Sequence, residues 1–264
     1  MTILQSIILG ILEGVAEFLP ISSTAHLLIA SELLGVSREP FLETFINSVR
    51  LGAILSVAVL YFNLVWKHKK IILKLATAFL PTAVIGLLTH SLISNLFTDN
   101  QILIAISIAL ILGGIFIILL ENYFKKRNKE MKQSLHDISY KQAFLIGVFQ
   151  ILAIFPGVSR SASTIMAGLY LGISRQAIVE FSFILAVPVM LAATSFNFYK
   201  IFYQQEMTFT SQEWWTWGLG TVFAFITAIF AIKALLNYLK KNDFKIFGWY
   251  RIVIGSLVLL WQLL

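Results

Sequence analysis

LGILEGVAEFLPISSTAHL, from Leu9 to Leu27, and IGVFQILAIFPGVSRSAST, from Ile146 to Thr164, read as two copies of one interrupted membrane helix. They align without a gap at a constant offset (146 − 9 = 137), which pairs Gly10 with Gly147, Glu13 with Gln150, Phe18 with Phe155, Ser22 with Ser159 and Ala25 with Ala162. In each copy an apolar run stops at a proline, which lacks the N–H a helix needs. A serine-rich segment follows that can cap a second helix. The pieces on either side of Pro20 and of Pro156-Gly157 are too short to cross a bilayer. Each copy is therefore predicted to form a re-entrant helical hairpin that enters and leaves on one side. Interrupted segments at corresponding places in two halves point to a site near the bilayer midplane.

Working outward, 58% of the 264 residues are hydrophobic and 12% are charged, the composition of a polytopic membrane chain. The net charge of +7 does not indicate nucleic acid, because the basic residues fall in short blocks between apolar runs. Those blocks are Lys67, Lys69, Lys70 and Lys74; Lys125, Lys126, Arg127, Lys129 and Lys132; and Lys240, Lys241 and Lys245. This is the loop pattern of the positive-inside rule. No cysteine is present, which excludes disulfides, thiolate catalysis and Cys-ligated zinc. The N-terminal run has no basic flank and carries Glu13 and Glu17, so a cleaved signal peptide is not expected.

Six further runs, at about 41–63, 71–92, 101–121, 177–199, 213–236 and 246–264, are long enough to span. The basic blocks at 66–74, 122–141 and 237–245 are assigned to the cytoplasm. Loops 93–100, without Lys or Arg, and 200–212, with Lys200 alone, are assigned to the outside. Six crossings alternate correctly through these loops. The hairpin at about 2–34 then dips in from the outer face and the one at about 139–171 from the cytoplasmic face. The expected fold is an all-α polytopic membrane protein of two inverted-topology repeats, each one re-entrant helical hairpin plus three transmembrane helices. Both belong to a single membrane domain, 1–264, with repeat one at about 1–121, a cytoplasmic linker at about 122–138 and repeat two at about 139–264.

Glu13 and Glu17 share a face of the first half-helix. A charged group at membrane depth costs about 2.5–3.5 kcal/mol even on the lenient insertion scale, so an idle carboxylate pair is disfavoured. The pair suits a hard cation, Mg²⁺ or Ca²⁺, whose remaining ligands come from water and phosphate oxygens, or it serves as a base. Ser22 and Ser23 can cap the helix after Pro20, and His26 lies where either hydroxyl can face its imidazole, the arrangement of an activated nucleophile. The second copy offers Ser159, Arg160, Ser161 and Thr164 at a helix start, a cradle for an anion. Arg160 adds a guanidinium fork suited to phosphate. Together these residues point to phosphoryl transfer. Lys233, Glu121 and Arg251 lie near cytoplasmic span ends, where long side chains can snorkel. Arg50, near mid-depth of the first full span, is equally placed to contact a phosphate or to pair with a glutamate. Trp214, Trp215 and Trp217 mark an outer aromatic belt.

EGVAEFLPISSTAH and FPGVSRSAST resemble the two signature motifs of the undecaprenyl-diphosphate phosphatase family, the bacitracin-resistance type, and the resemblance runs through the whole chain. It implies hydrolysis of undecaprenyl diphosphate to undecaprenyl phosphate and inorganic phosphate, recycling the lipid carrier for peptidoglycan and other envelope polymers. It also implies a bacterial inner-membrane location, a site open to the extracytoplasmic side and dependence on a divalent cation (Mg²⁺ or Ca²⁺) held by Glu13 and Glu17. The implied catalytic residues are Glu13, Glu17, Ser23, His26 and Arg160. Those implied to bind phosphate are Ser22, Ser159, Arg160, Ser161 and Thr164. Ser23 as the attacking group is likewise an implication of the resemblance, with Ser22, His26 and water as the other candidates. The chain departs from the family where Gly is usual at Ala162, and where Glu and Gln are usual at Ile46 and Arg50. The expected partners are the lipid substrate and membrane lipids, with no nucleic acid and with a homo-oligomer left open. The competing class is a transporter or flippase for a phosphorylated polyprenyl lipid, since interrupted helices in repeated halves also build carriers.

Overall fold

Helix boundaries follow the caps that the sequence supplies. A computed structural model describes residues 1–37, 39–96, 99–127, 134–203 and 209–264. Lys129 and Lys132 of the central basic block, and parts of the two predicted outer loops (97–98 and 204–208), lie outside the described residues. Among those described are helices α1 (Ile3–Ala16), α2 (Ser23–Leu33), α3 (Pro40–Ser48), α4 (Arg50–Lys67), α5 (Lys69–Leu96) and α6 (Asp99–Arg127). A second series follows: α7 (Tyr140–Gln150), α8 (Arg160–Tyr170), α9 (Arg175–Tyr203), α10 (Ser211–Leu239) and α11 (Lys245–Leu263).

Six helical runs among these are long and apolar enough to cross a membrane: Pro40–Lys67, Lys69–Thr89, Gln101–Lys125, Arg175–Tyr199, Ser211–Leu239 and Lys245–Leu263. They coincide with the six predicted spans, and the chain is an all-α polytopic membrane protein. Within the first span α3 gives way to α4 at Val49. Val49 keeps helical dihedrals (φ −59°, ψ −26°), but Gly52 N–H reaches back only to Val49 O, a local tightening of the helix. Leu87, Leu88, Leu112, Leu119, Phe230 and Leu257 stand exposed on the outer surface. So large an apolar surface belongs against lipid.

The two interrupted copies share their backbone devices residue for residue. Thr2 and Gln5 make a capping box at the start of α1, and Ser139 and Gln142 make one at the start of α7. Gln5 Nε2 donates to Leu34 O (3.0 Å) and Gln142 Nε2 to Leu171 O (3.2 Å), so in each pair the second helix ends beside the start of the first. Both second helices close on a left-handed glycine, Gly35 (φ 63°) and Gly172 (φ 85°).

Small residues then let each pair dock on a helix from the other half. α1 lies along α10, where a Cβ on Gly10 would come within 2.2 Å of Gly220 O. α7 lies along α5, where a Cβ on Gly147 would come within 2.0 Å of Ala78 O. α6 pairs with α11 through Gly113, Gly114, Gly248 and Gly255. Close backbone approach at small residues is how helices associate where lipid removes the hydrophobic drive.

Candidate active site

The two interruptions meet. After α1 the chain turns through Glu17–Ile21, and Ser22 takes a left-handed backbone (φ 73°) to cap α2, its side chain accepting from Ala25 N–H. After α7 a short 3-10 turn, Ile151–Ile154, leads through Pro156 and Gly157 to Ser159 (φ 77°), which caps α8 by accepting from Ala162 N–H. A non-glycine residue rarely adopts positive φ, and such strain persists only where the surroundings hold it. Both helix starts reach one cavity of about 220 Å³, whose wall includes Glu17, Ser22, Ser23, Thr24, Asn47, Arg50, Gly157, Ser159 and Arg160. That is several times the ~30 Å³ share of one water molecule and enough for a phosphate group with its water. Two positive helix ends and two guanidinium groups make the cavity ready for an anion.

Glu17 holds the centre together. Its Oε1 lies 3.2 Å from Arg160 Nη2, and its Oε2 accepts from Ser23 Oγ at 2.5 Å. A buried ion pair needs further hydrogen bonds to offset desolvation. Arg160 finds them in Ser182, donating from Nη1 to the carbonyl (2.6 Å) and to Oγ (3.3 Å). Ser182 Oγ in turn meets Thr164 Oγ1 at 2.7 Å, and Thr164 Oγ1 also donates to Arg160 O. Phe18 packs edge-on to Phe183 at 5.0 Å and anchors the first interruption. Glu13, one turn before Glu17, is wholly buried, and neither of its carboxylate oxygens has a hydrogen-bond partner.

The predicted site residues therefore divide. Glu17, Ser22, Ser23, Ser159 and Arg160 line the cavity together. Ser161 and Thr164 do not line it: Ser161 Oγ is spent on Leu19 O (2.8 Å), joining the two interruptions, and Thr164 Oγ1 on the α8 backbone and Ser182. Glu13 sits behind Glu17. The expected hydroxyl–imidazole pair is replaced by a hydroxyl–carboxylate pair. His26 Nδ1 faces Ser22 O at 2.8 Å, which places a proton on Nδ1, and Nε2 faces Tyr250 Oη at 2.8 Å with the rings stacked. Helical spacing put His26 near both serines, but the ring rotated toward the carbonyl instead.

Two snorkelling assignments are corrected. Glu121 is 1% exposed, pairs with Arg175 (2.5 Å) and accepts from Phe244 N–H (3.1 Å). Arg251 is fully buried and donates to five carbonyls: Leu110, Ala109, Pro20, Val158 and Gly157. Three of these belong to the two interruptions, whose backbone has no helical partner of its own. A guanidinium with five donors satisfies them in place. Snorkelling fails for both because orphaned backbone groups inside the fold outbid solvent. Lys233, by contrast, is exposed. Ser182 and Tyr250 are not marked out by the sequence, and Arg251 is marked there only as a span-end residue. For Arg251 the signal was its place inside an apolar span, where an ionisable residue is functional by default.

Carboxylate, hydroxyl, guanidinium and two helix starts around one buried cavity define a polytopic membrane protein equipped to bind and attack a phosphate ester. Comparison with known proteins places the chain. The family profile described as bacitracin resistance protein BacA matches residues 6–257, and the chain belongs to that family. It is 43% identical over 255 residues to the undecaprenyl-diphosphatase of Aquifex aeolicus, covering 97% of this chain and 96% of that protein. It is 42% identical over 261 residues to that of Sulfurihydrogenibium sp. (99% and 100% covered). The undecaprenyl-diphosphatase of Enterococcus faecalis is 44% identical over 274 residues (98% and 96% covered).

Proposed function

We propose that the protein removes the terminal phosphate of undecaprenyl diphosphate, giving undecaprenyl phosphate and inorganic phosphate. It thereby recycles the carrier lipid for peptidoglycan and other envelope polymers and supports bacitracin resistance. The observation that carries this reading is Glu17 bound at once to the Ser23 hydroxyl and to Arg160 in the wall of an anion-ready cavity. The shared devices of the two copies, and the docking of each helix pair on the opposite half, support two inverted-topology repeats with re-entrant hairpins. With the basic loops cytoplasmic, Asn47 and Arg50 fall in the outer half of the first span, and the cavity faces the extracytoplasmic side of the bacterial inner membrane.

In this scheme Arg160, Ser159 and the helix starts hold the terminal phosphate. Ser23 Oγ attacks phosphorus while its proton passes to Glu17 Oε2. The bond from phosphorus to the bridging oxygen breaks, and its electron pair leaves with undecaprenyl phosphate, which takes the proton from Glu17. Water then attacks the phosphoseryl group, giving its proton to Glu17, and Ser23 leaves and recovers it. Positioning and charge stabilisation supply most of the acceleration, as is general for phosphoryl transfer. His26 acts through Ser22, whose carbonyl it holds. The two unpartnered buried oxygens of Glu13 beside Glu17 fit a divalent cation (Mg²⁺ or Ca²⁺), which when bound would neutralise phosphate charge. Among the described residues no group of three or more His, Cys, Asp and Glu side chains could hold such an ion, so a cation bound there would take further ligands from substrate and water.

A lipid carrier, the alternative, has no use for a hydroxyl held on a carboxylate. Phosphate release from undecaprenyl diphosphate by the detergent-purified protein, with and without EDTA, tests the reading. Release that EDTA suppresses is expected. Absence of release at any cation concentration would refute it.

A further inference from the structure

Arg50 is the second guanidinium in the cavity wall, and the scheme above gives it nothing to do. Its charge is balanced only at a distance, by the carboxylate of Glu13 buried behind Glu17. Arg160 is neutralised by Glu17 at 3.2 Å, whereas Arg50 makes no ion pair among the described residues. The pairing with a glutamate that its depth allowed is not made. Nε of Arg50 is buried without a hydrogen-bond partner, and Nη2 has only a long 3.4 Å contact with Thr24 Oγ1 on the first turn of α2. A half-buried, unpaired guanidinium is costly unless an anion completes it. The cavity's one carboxylate is already taken by Arg160 and Ser23. A ligand anion in the cavity would give Arg50 the direct partner that Glu13, outside the cavity wall, does not.

The geometry points to Arg50 as the group that reads the second phosphate of a diphosphate, the phosphate that stays on the departing lipid. This rests on the phosphatase reading of the same cavity. With the terminal phosphate held by Arg160, Ser159 and Ser23, a diphosphate still has one phosphate to place among Thr24, Asn47 and Arg50. A monophosphate ester puts only its bridging oxygen and carbon chain there. Negative charge develops on the leaving oxygen as the bond breaks, so Arg50 also stabilises the transition state more than the ground state. Arg50 thereby adds to the preference for diphosphates over monophosphate esters, and for inorganic pyrophosphate over phosphate as a competing anion.

Two readouts separate this role from a structural one. The first is kcat/KM on farnesyl diphosphate and on farnesyl monophosphate for native protein, Arg50→Gln and Arg50→Lys. Arg50→Gln is expected to lose about 10–100-fold on the diphosphate, the worth of one charge-assisted phosphate contact, and little on the monophosphate. Arg50→Lys, which keeps the charge without the fork, is expected to fall between. The second readout needs no turnover: the upward shift in melting temperature that pyrophosphate and phosphate produce at fixed free Mg²⁺. Native protein should respond more to pyrophosphate, and Arg50→Gln should lose that preference while keeping its response to phosphate. Equal losses for both anions, or unchanged selectivity in both variants, overturn the proposal. If the native protein releases no phosphate yet prefers pyrophosphate, the catalytic reading fails and the assignment of Arg50 stands. If Arg50→Gln does not fold, Arg50→Lys decides alone: a selectivity equal to that of the native protein overturns a role for the planar fork.

Discussion

Replacing Arg251 with methionine removes the group that joins both interruptions to α6, and its cost can be worked from the contacts. Five carbonyls lose a charged donor. Those of Ala109 and Leu110 lie within α6 and keep their helical bonds. Pro20, Gly157 and Val158 lie outside any helix and keep none. Three buried carbonyls orphaned at about 1–3 kcal/mol each sum to about 3–9 kcal/mol. Against that, the variant no longer buries a guanidinium, which relieves several kcal/mol. The net is a local loss of about 2–5 kcal/mol, concentrated in the loops that place Glu17, Ser23 and Arg160. Since about 1.4 kcal/mol is tenfold in rate, a loss of that size borne wholly by the transition state lowers kcat/KM by roughly 30-fold to a few thousand-fold. The six spans and their helix content should persist, because α6 still packs on α11 at Gly114, Gly248 and Gly255.

Gly113→Ala tests the same reasoning from the other side. A Cβ there would stand 2.2 Å from Arg251 Nη2 and 2.8 Å from Cζ, so the guanidinium must leave its carbonyls although the arginine remains. Both variants are assayed by phosphate release after purification in detergent, with circular dichroism as the folding control. If Arg251→Met keeps kcat/KM within threefold of the native protein, the interruptions are held by something else and the reasoning is wrong.

Other outcomes follow from the same geometry. Glu17→Gln removes the base for the Ser23 proton and the charge that pairs with Arg160, and Ser23→Ala removes the attacking oxygen. Each is expected to lower kcat by about 10²–10⁴ while leaving membrane insertion intact, checked by single-turnover phosphate release. Tyr250→Phe leaves His26 Nε2 without its partner, so a fall in melting temperature with kcat within about threefold is expected; a much larger loss of kcat would return His26 to the chemistry. Gly147→Ala drives a Cβ to 2.0 Å from Ala78 O and should separate α7 from α5, read as a lower detergent melting temperature.

The spans, the two interruptions and the meeting of Glu17 with Arg160 were legible because each rests on a strong local signal. Apolar length marks a span, proline marks a break, and an ionisable residue in an apolar run marks a site. What could not be read was the direction a side chain takes once its neighbours compete for it. His26 lies at helical spacing from Ser22 and Ser23 alike, yet the carbonyl of Ser22 and the hydroxyl of Tyr250, which is 224 residues away, decide its orientation. Arg251 lies close to Lys245 in sequence and looked like a span end. Its true partners are loops at Pro20 and Gly157 whose orphaned carbonyls no sequence pattern displays. Ser182 is one serine among many, chosen only because α9 carries it past Arg160.

The two copies keep the scaffold and divide the chemistry, and charge explains why they must. Capping boxes, the left-handed serines, the glutamine ties and the closing glycines are the same in both. The residues that face inward differ: Gln150 stands where the first copy has Glu13, Ile154 where it has Glu17, and Arg160 where it has Ser23. Had the second copy kept both acids, four carboxylates would converge on one buried cavity. Each pair at about 4 Å would cost roughly 4 kcal/mol even at an effective dielectric of 20. Had both copies carried the arginine, the attacking hydroxyl would be gone. One acidic half with the nucleophile and one cationic half for the phosphate is the division that lets Glu17 hold Ser23 and Arg160 together. Gln150 donates to Thr82 of α5 at 2.8 Å, so the second copy's inward position ties α7 to α5 without adding a charge.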